Sequence, residues 1–138
     1  MQIMKVQSNN YNTAFGAGNV TLKNINPNHF SKYNEIQRIA EEDKLDISIR
    51  KADDSKYLPK NDLYIVIAKQ DVEQSVAGRG KFKLPVHGTS CAISKKNALS
   101  GEVSEKLYET VIKSVENLAE AIEKHIGQKP KFLAYLKK

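Results

Sequence analysis

The two side chains with the greatest chemical reach in this 138-residue chain stand four positions apart, His87 and Cys91. A thiol beside an imidazole is a potential nucleophile, and the same pair are soft metal ligands. Neither arrangement is complete. His29 and His125 lie far away in sequence, and no second Cys/His pair closes a tetrahedral site. Residues 89–95 read as a core strand with Cys91 and Ile93 pointing inward, which makes the thiol an inert buried hydrophobe. Carboxylates offer a second chemistry. Asp46, Asp54, Lys56, Asp62 and Lys69 supply the residue types of a metal-dependent nuclease around one hairpin, and a small enzyme would centre on Asp54, Asp62 and His87. Asp53, Asp54 and Asp62 do not have the spacing of a calcium loop. The sequence therefore assigns no catalytic residue, no metal and no cofactor.

Binding chemistry is better represented. The formal charge is +6, and its distribution is uneven. Residues 74–101 carry Arg79, Lys81, Lys83, Lys95 and Lys96 and no acid, while residues 102–127 carry six acids against three lysines. Lys129, Lys131, Lys137 and Lys138 follow. Such patches attract phosphates or acidic partners within about a Debye length. Gly78-Arg79-Gly80-Lys81 has the composition of a phosphate-cradling loop but lacks the P-loop ending. Tyr11 and Phe15 are the large aromatics of the Asn- and Gly-rich N-terminal segment, placed there to contact a partner or to pin the segment onto the domain.

These residues must be positioned by a small number of elements. Residues 1–19 show no sustained period and read as an extended or flexible segment. Val20 and Leu22 suggest a short strand. Asn26-Pro27 is a helix start, with Asn as N-cap and Pro at N1, and Phe30, Tyr33, Ile36, Ile39 and Ala40 recur at helical spacing as far as Asp43. Glu41, Glu42 and Asp43 oppose the helix dipole at that end. Residues 45–50 alternate as a half-buried strand. Residues 63–68, apolar on both faces, are the central strand and the longest apolar run, too short to cross a membrane. Gly78, Gly80, Pro85 and Gly88 make residues 70–88 a long irregular loop. From Ser100, as cap, to Gly127 a stripe of Leu107, Val111, Val115, Leu118, Ile122 and Ile126 specifies a long amphipathic helix.

The expected fold is α+β: a small antiparallel sheet of three or four strands covered on one face by two helices, in the order (β)αβββα. The single domain spans residues 20–128, followed by a basic tail over 129–138. Phe132, Leu133, Tyr135 and Leu136 give that tail an apolar side suited to docking on protein. One cysteine and no apolar leader suit a cytoplasmic protein.

Two segments resemble known families. Asn12-Thr13-Ala14-Phe15-Gly16-Ala17 is similar to a stretch near the N-terminus of uncharacterised small bacterial proteins, which implies a bacterial origin and no particular activity. Ser94-Lys95-Lys96-Asn97-Ala98 resembles the Ser-Lys-Lys-x-Ala segment of double-stranded RNA-binding domains, whose strand and helix order is also similar. The resemblance implies that Lys95 and Lys96 contact phosphates. Here Leu99-Ser100-Gly101 intervene before the helix, and residues 53–88 exceed that family's compact sheet.

Three function classes follow. The first is a non-catalytic protein-binding module of adaptor or inhibitor type. The second is a nucleic-acid-binding protein using the basic 78–96 region, and the third is a small metal-dependent enzyme. The absence of any complete catalytic set places the protein-binding module first.

Overall fold

A computed structural model describes residues 18–52 and 59–136. Four strands form one sheet in the order β1-β2-β3-β4: β1 Val20–Lys23, β2 Asp46–Ala52, β3 Asn61–Val76 and β4 Gly80–Lys95. Among the described residues three α-helices accompany it: α1 Tyr33–Asp43, α2 Ser100–Ile126 and α3 Leu133–Leu136. The class is α+β, and the element order is the expected one with α3 added. The sheet is mixed, because β1 runs parallel to β2 while β2–β3 and β3–β4 are antiparallel. A parallel pair needs a crossover, and α1 supplies it.

The largest difference from the sequence-based expectation is the span 70–88. Instead of a loop it is the heart of a hairpin, with β3 and β4 paired continuously from Asn61↔Lys95 to Val76↔Gly80. The residues read as breakers each have a place in it. Gly78 and Gly80 take positive φ at the turn, where glycine is tolerated without strain. Pro85 lies on β4, an edge strand, where a missing ladder donor costs least. Gly88 faces α2. An added Cβ there would overlap the Leu118 amide nitrogen and the Ser114 carbonyl oxygen and stand 2.7 Å from Leu118 Cα.

That close approach fixes which side of β4 is inside. Val86, Gly88, Ala92 and Ser94 are buried beneath the helices, whereas Cys91 and Ile93 are exposed. The expectation that Cys91 and Ile93 point inward is overturned. Small residues on alternate positions of β4 let α2 sit close to the strand, and a one-residue change of register would force larger side chains under the helix. α2 is held further by Ser114, fully buried, whose hydroxyl donates to the Val66 carbonyl at 3.1 Å.

The first helix is also divided. Asn26 accepts from the Asn28 amide at 3.0 Å and starts a 3-10 turn, Pro27–His29, before α1 begins at Tyr33. Phe30, Ile36, Ile39 and Ala40 join the core as their spacing predicts. α2 begins without a side-chain cap, since Leu99 and not Ser100 occupies the N-cap position; Gly127 ends it in the left-handed conformation, and Ile126, the last residue of the expected stripe, is exposed because the helix end projects past the core. α1 stops at Asp43, with Lys44 left-handed behind it, and its acidic end is given partners. Asp43 accepts from the backbone amides of Leu133 and Ala134 at 2.8 and 3.1 Å, so the first turn of α3 offsets the unfavourable charge. The tail is thereby docked, with Phe132 and Ala134 buried.

Candidate functional site

The helices pack against one face of the sheet. Alternation along the strands therefore assigns the side chains of the other face. On β2 it presents Asp46, Ser48, Arg50 and Ala52; on β3 Leu63, Ile65, Ile67, Lys69 and Asp71; on β4 Pro85, His87, Thr89, Cys91, Ile93 and Lys95. Register places these in rows. Leu63 lies beside Ile93, Ile65 beside Cys91, and Ile67 beside Thr89. Cross-strand neighbours stand about 5 Å apart and same-face neighbours along a strand about 6.6 Å. Leu63, Ile65, Ile67, Cys91 and Ile93 thus form one apolar strip, with Ile93 52% exposed.

Cations border the strip. Arg50 is the register partner of Ile65, and Lys23 the partner of Arg50 one strand further out. Lys95 follows Ile93 at the end of β4. None of the three has a carboxylate partner among the described residues. The four rows from Asn61–Lys95 to Ile67–Thr89 contain no acid. Acids return only in the next row, where Asp46 pairs in register with Lys69 and Lys69 with His87. There the face opens into a hollow of about 560 Å³ lined by Asn19, Thr21, Asp46, Ser48 and Lys69.

The residues singled out from sequence are distributed differently from the expectation. Arg79, Lys81 and Lys83 lie at the hairpin tip, while Lys95 and Lys96 lie at its opposite end, some 40 Å along the strand at about 3.3 Å per residue. They do not form one patch. Lys81 pairs with Glu73 at 3.8 Å and Lys96 with Asp62 at 3.4 Å. Asp62 also pairs with Lys51 at 3.5 Å. It sits at the helix-covered side of the sheet in a cavity of about 250 Å³, lined by polar and apolar residues alike, among them Ile25, His29, Tyr64, Lys95 and Val103. Burial, with the nearby Asp62 carboxylate, pushes the Tyr64 phenol above its ordinary range.

Catalytic groupings fare no better. His87 and Cys91 share the open face but are four residues apart along one strand, about 13 Å, beyond thiol–imidazole contact. Asp62 belongs to the other face, so Asp62 and His87 do not converge. Among the described residues no cluster of three or more His, Cys, Asp or Glu side chains is placed to hold a metal, and no helix is long and apolar enough to cross a membrane. Tyr11, Phe15, Asp53, Asp54 and Lys56 lie outside the described residues. The open strip itself escaped the sequence reading, although the alternation of Gly88, Ser90, Ala92 and Ser94 with Thr89, Cys91, Ile93 and Lys95 carried the signal: a run of small residues marks the side on which a helix approaches.

The inverted register has a direct chemical consequence. Cys91 is the single cysteine of the chain and is exposed, so Ellman's reagent is expected to titrate one thiol in native buffer as rapidly as in denaturant-treated protein, apart from the denaturant's own effect. A thiol released only on unfolding would restore the inward orientation of β4.

Comparison with protein-family models, curated proteins and solved structures finds no match for the chain.

Proposed function

We propose that the protein is a non-catalytic protein-binding module of adaptor or inhibitor type whose contact surface is the open face of its sheet. One observation carries this reading: β4 turns its small residues toward α2 and leaves Cys91 and Ile93 outward, beside Leu63, Ile65 and Ile67. Burial in the isolated domain favours the reverse assignment of large and small side chains, so a contiguous apolar strip facing away from the core points to a macromolecular contact. The edge of the sheet is a poorer docking site. Pro85 and the lysines of β4 blunt it against strand addition.

Nucleic acid is served less well by the same face. Single strands are held by stacking on aromatic rings, and among the described residues the open face carries no Phe, Tyr or Trp. The basic 78–96 region is divided between two distant ends of the hairpin.

Affinity capture with the wild-type protein and with Ile93→Glu as paired baits tests the reading. Ile93 is half-exposed on an edge strand, so the substitution should leave the fold intact. Proteins retained by the wild type are expected to be lost from Ile93→Glu, with interface energy concentrated on such apolar contacts. Equal retention by both baits would remove the open face as the contact surface.

A further inference from the structure

We infer that the open face takes an acidic amphipathic helix, one whose apolar stripe is flanked by Asp and Glu. The inference rests on the reading of this face as a protein contact and adds the chemistry of the occupant. The apolar strip runs from Leu63 to Ile67 along β3, about 13 Å, the length of two to three helical turns. Arg50 and Lys23 border it on one side, and Lys95 stands at its end. With no carboxylate partner for these cations among the described residues and no acid in four successive rows, a complementary surface places carboxylates beside its own apolar ridge.

The same charge pattern argues against two other occupants. An isologous dimer would set this acid-free patch against its own copy, bringing Lys23, Arg50 and Lys95 together with their counterparts on a chain already at +6. Residues 1–17 contain no Asp or Glu and one lysine, so that segment has no carboxylate to offer. A helix is favoured over a strand because the accessible feature is the face of the sheet, which helices cover by layering.

The test is selection from a phage-displayed library of random peptides of about 16 residues, long enough for roughly four helical turns. The enriched peptides are then measured against variants by fluorescence anisotropy. The expected peptides combine Leu, Ile or Phe at helical spacing with Asp and Glu. Their affinity falls by about tenfold or more on Ile93→Glu, and similarly on Lys23→Glu/Arg50→Glu. The charge-reversed pair instead prefers the same peptides with Glu exchanged for Lys. Ile65→Glu is the second apolar variant, in case Ile93→Glu perturbs the edge strand. Apolar peptides with no acidic bias that still lose binding on Ile93→Glu would overturn the charge inference and leave the open face as the contact. Binding unaffected by Ile93→Glu and Ile65→Glu, or no enrichment at all, would overturn it along with the surface. A dimer by analytical ultracentrifugation that Ile93→Glu dissociates would assign the face to a second copy. Steeply salt-dependent RNA binding lost on Lys23→Glu/Arg50→Glu would assign it to nucleic acid. Either result overturns the acidic helix.

Discussion

Replacing Gly88 by alanine is expected to cost about 3 kcal/mol or more, at or above the top of the usual range for an overpacked core. The new methyl group would meet backbone atoms of Ser114 and Leu118, and a helix backbone cannot swing aside as the end of a flexible side chain can. Accommodation would require α2 to lift from β4. It would carry Val111, Val115 and Leu118, all fully buried, away from the sheet. Against a total stability of about 5–15 kcal/mol, such a loss should lower the midpoint of thermal unfolding by roughly 10 °C or more. Gly101→Ala provides the contrast. Nothing lies within 4 Å of a Cβ at that position, which is in the first turn of α2, so alanine should stabilise by roughly 0.4–1 kcal/mol. Circular dichroism melts of the two variants check both signs. Equal melting of Gly88→Ala and wild type would mean that β4 and α2 are not in this close contact.

Removing residues 129–138 is the second change with a large expected effect. Phe132 is 6% exposed and Ala134 equally buried, although the chain around them is basic. Loss of a buried phenylalanine side chain alone costs about 3–5 kcal/mol. The truncation also strips Asp43 of the two amides it accepts from, leaving a carboxylate facing the negative end of the α1 dipole. A fall in the unfolding midpoint of roughly 10 °C is expected, with Phe132→Ala accounting for most of it and Asp43→Ala for a smaller share of about 1 kcal/mol. An unchanged midpoint on truncation would show that the tail is not part of the folded domain.

The parts of this fold that the sequence made legible are those in which one local signal decided the outcome. The stripe from Leu107 to Ile122 has a single helical period and was readable without knowledge of neighbours; Asn26-Pro27 carries its own cap chemistry but caps only a 3-10 turn, and α1 starts separately at Tyr33. The alternation in residues 45–50 likewise fixed β2 and placed Ile47 and Ile49 in the core. The hairpin tip was not readable in this way. Gly78, Gly80, Pro85 and Gly88 act as breakers on average, and here each is tolerated for a tertiary reason: a tight turn, an edge position or contact with α2. The orientation of β4 failed for a related cause. Hydrophobicity alone sends Cys91 and Ile93 inward, but the space beneath α2 admits only small residues, and that limit is set by a helix lying beyond the strand in sequence. The candidate site inherits the error, since the apolar strip exists only once β3 and β4 are aligned and the register of β4 is known. Lys23 and Arg50 were missed for the same reason: β1 and β2 bring them together across a crossover that no local pattern encodes. Asp43 is similar, an unfavourable charge in isolation that becomes a cap when residues 133–134 return to α1.

The most direct test of the open face as a contact surface uses the thiol that the strip itself provides. Cys91 is to be alkylated with a maleimide in native buffer, first in the free protein and then with a library-selected peptide present at saturation. The open-face account predicts slowing by about tenfold or more with peptide bound, because the occupant covers Ile65 and Ile93 on either side of the sulfur. Alkylation at the rate of the free protein, with the peptide shown to be bound, would place the contact elsewhere and contradict the account.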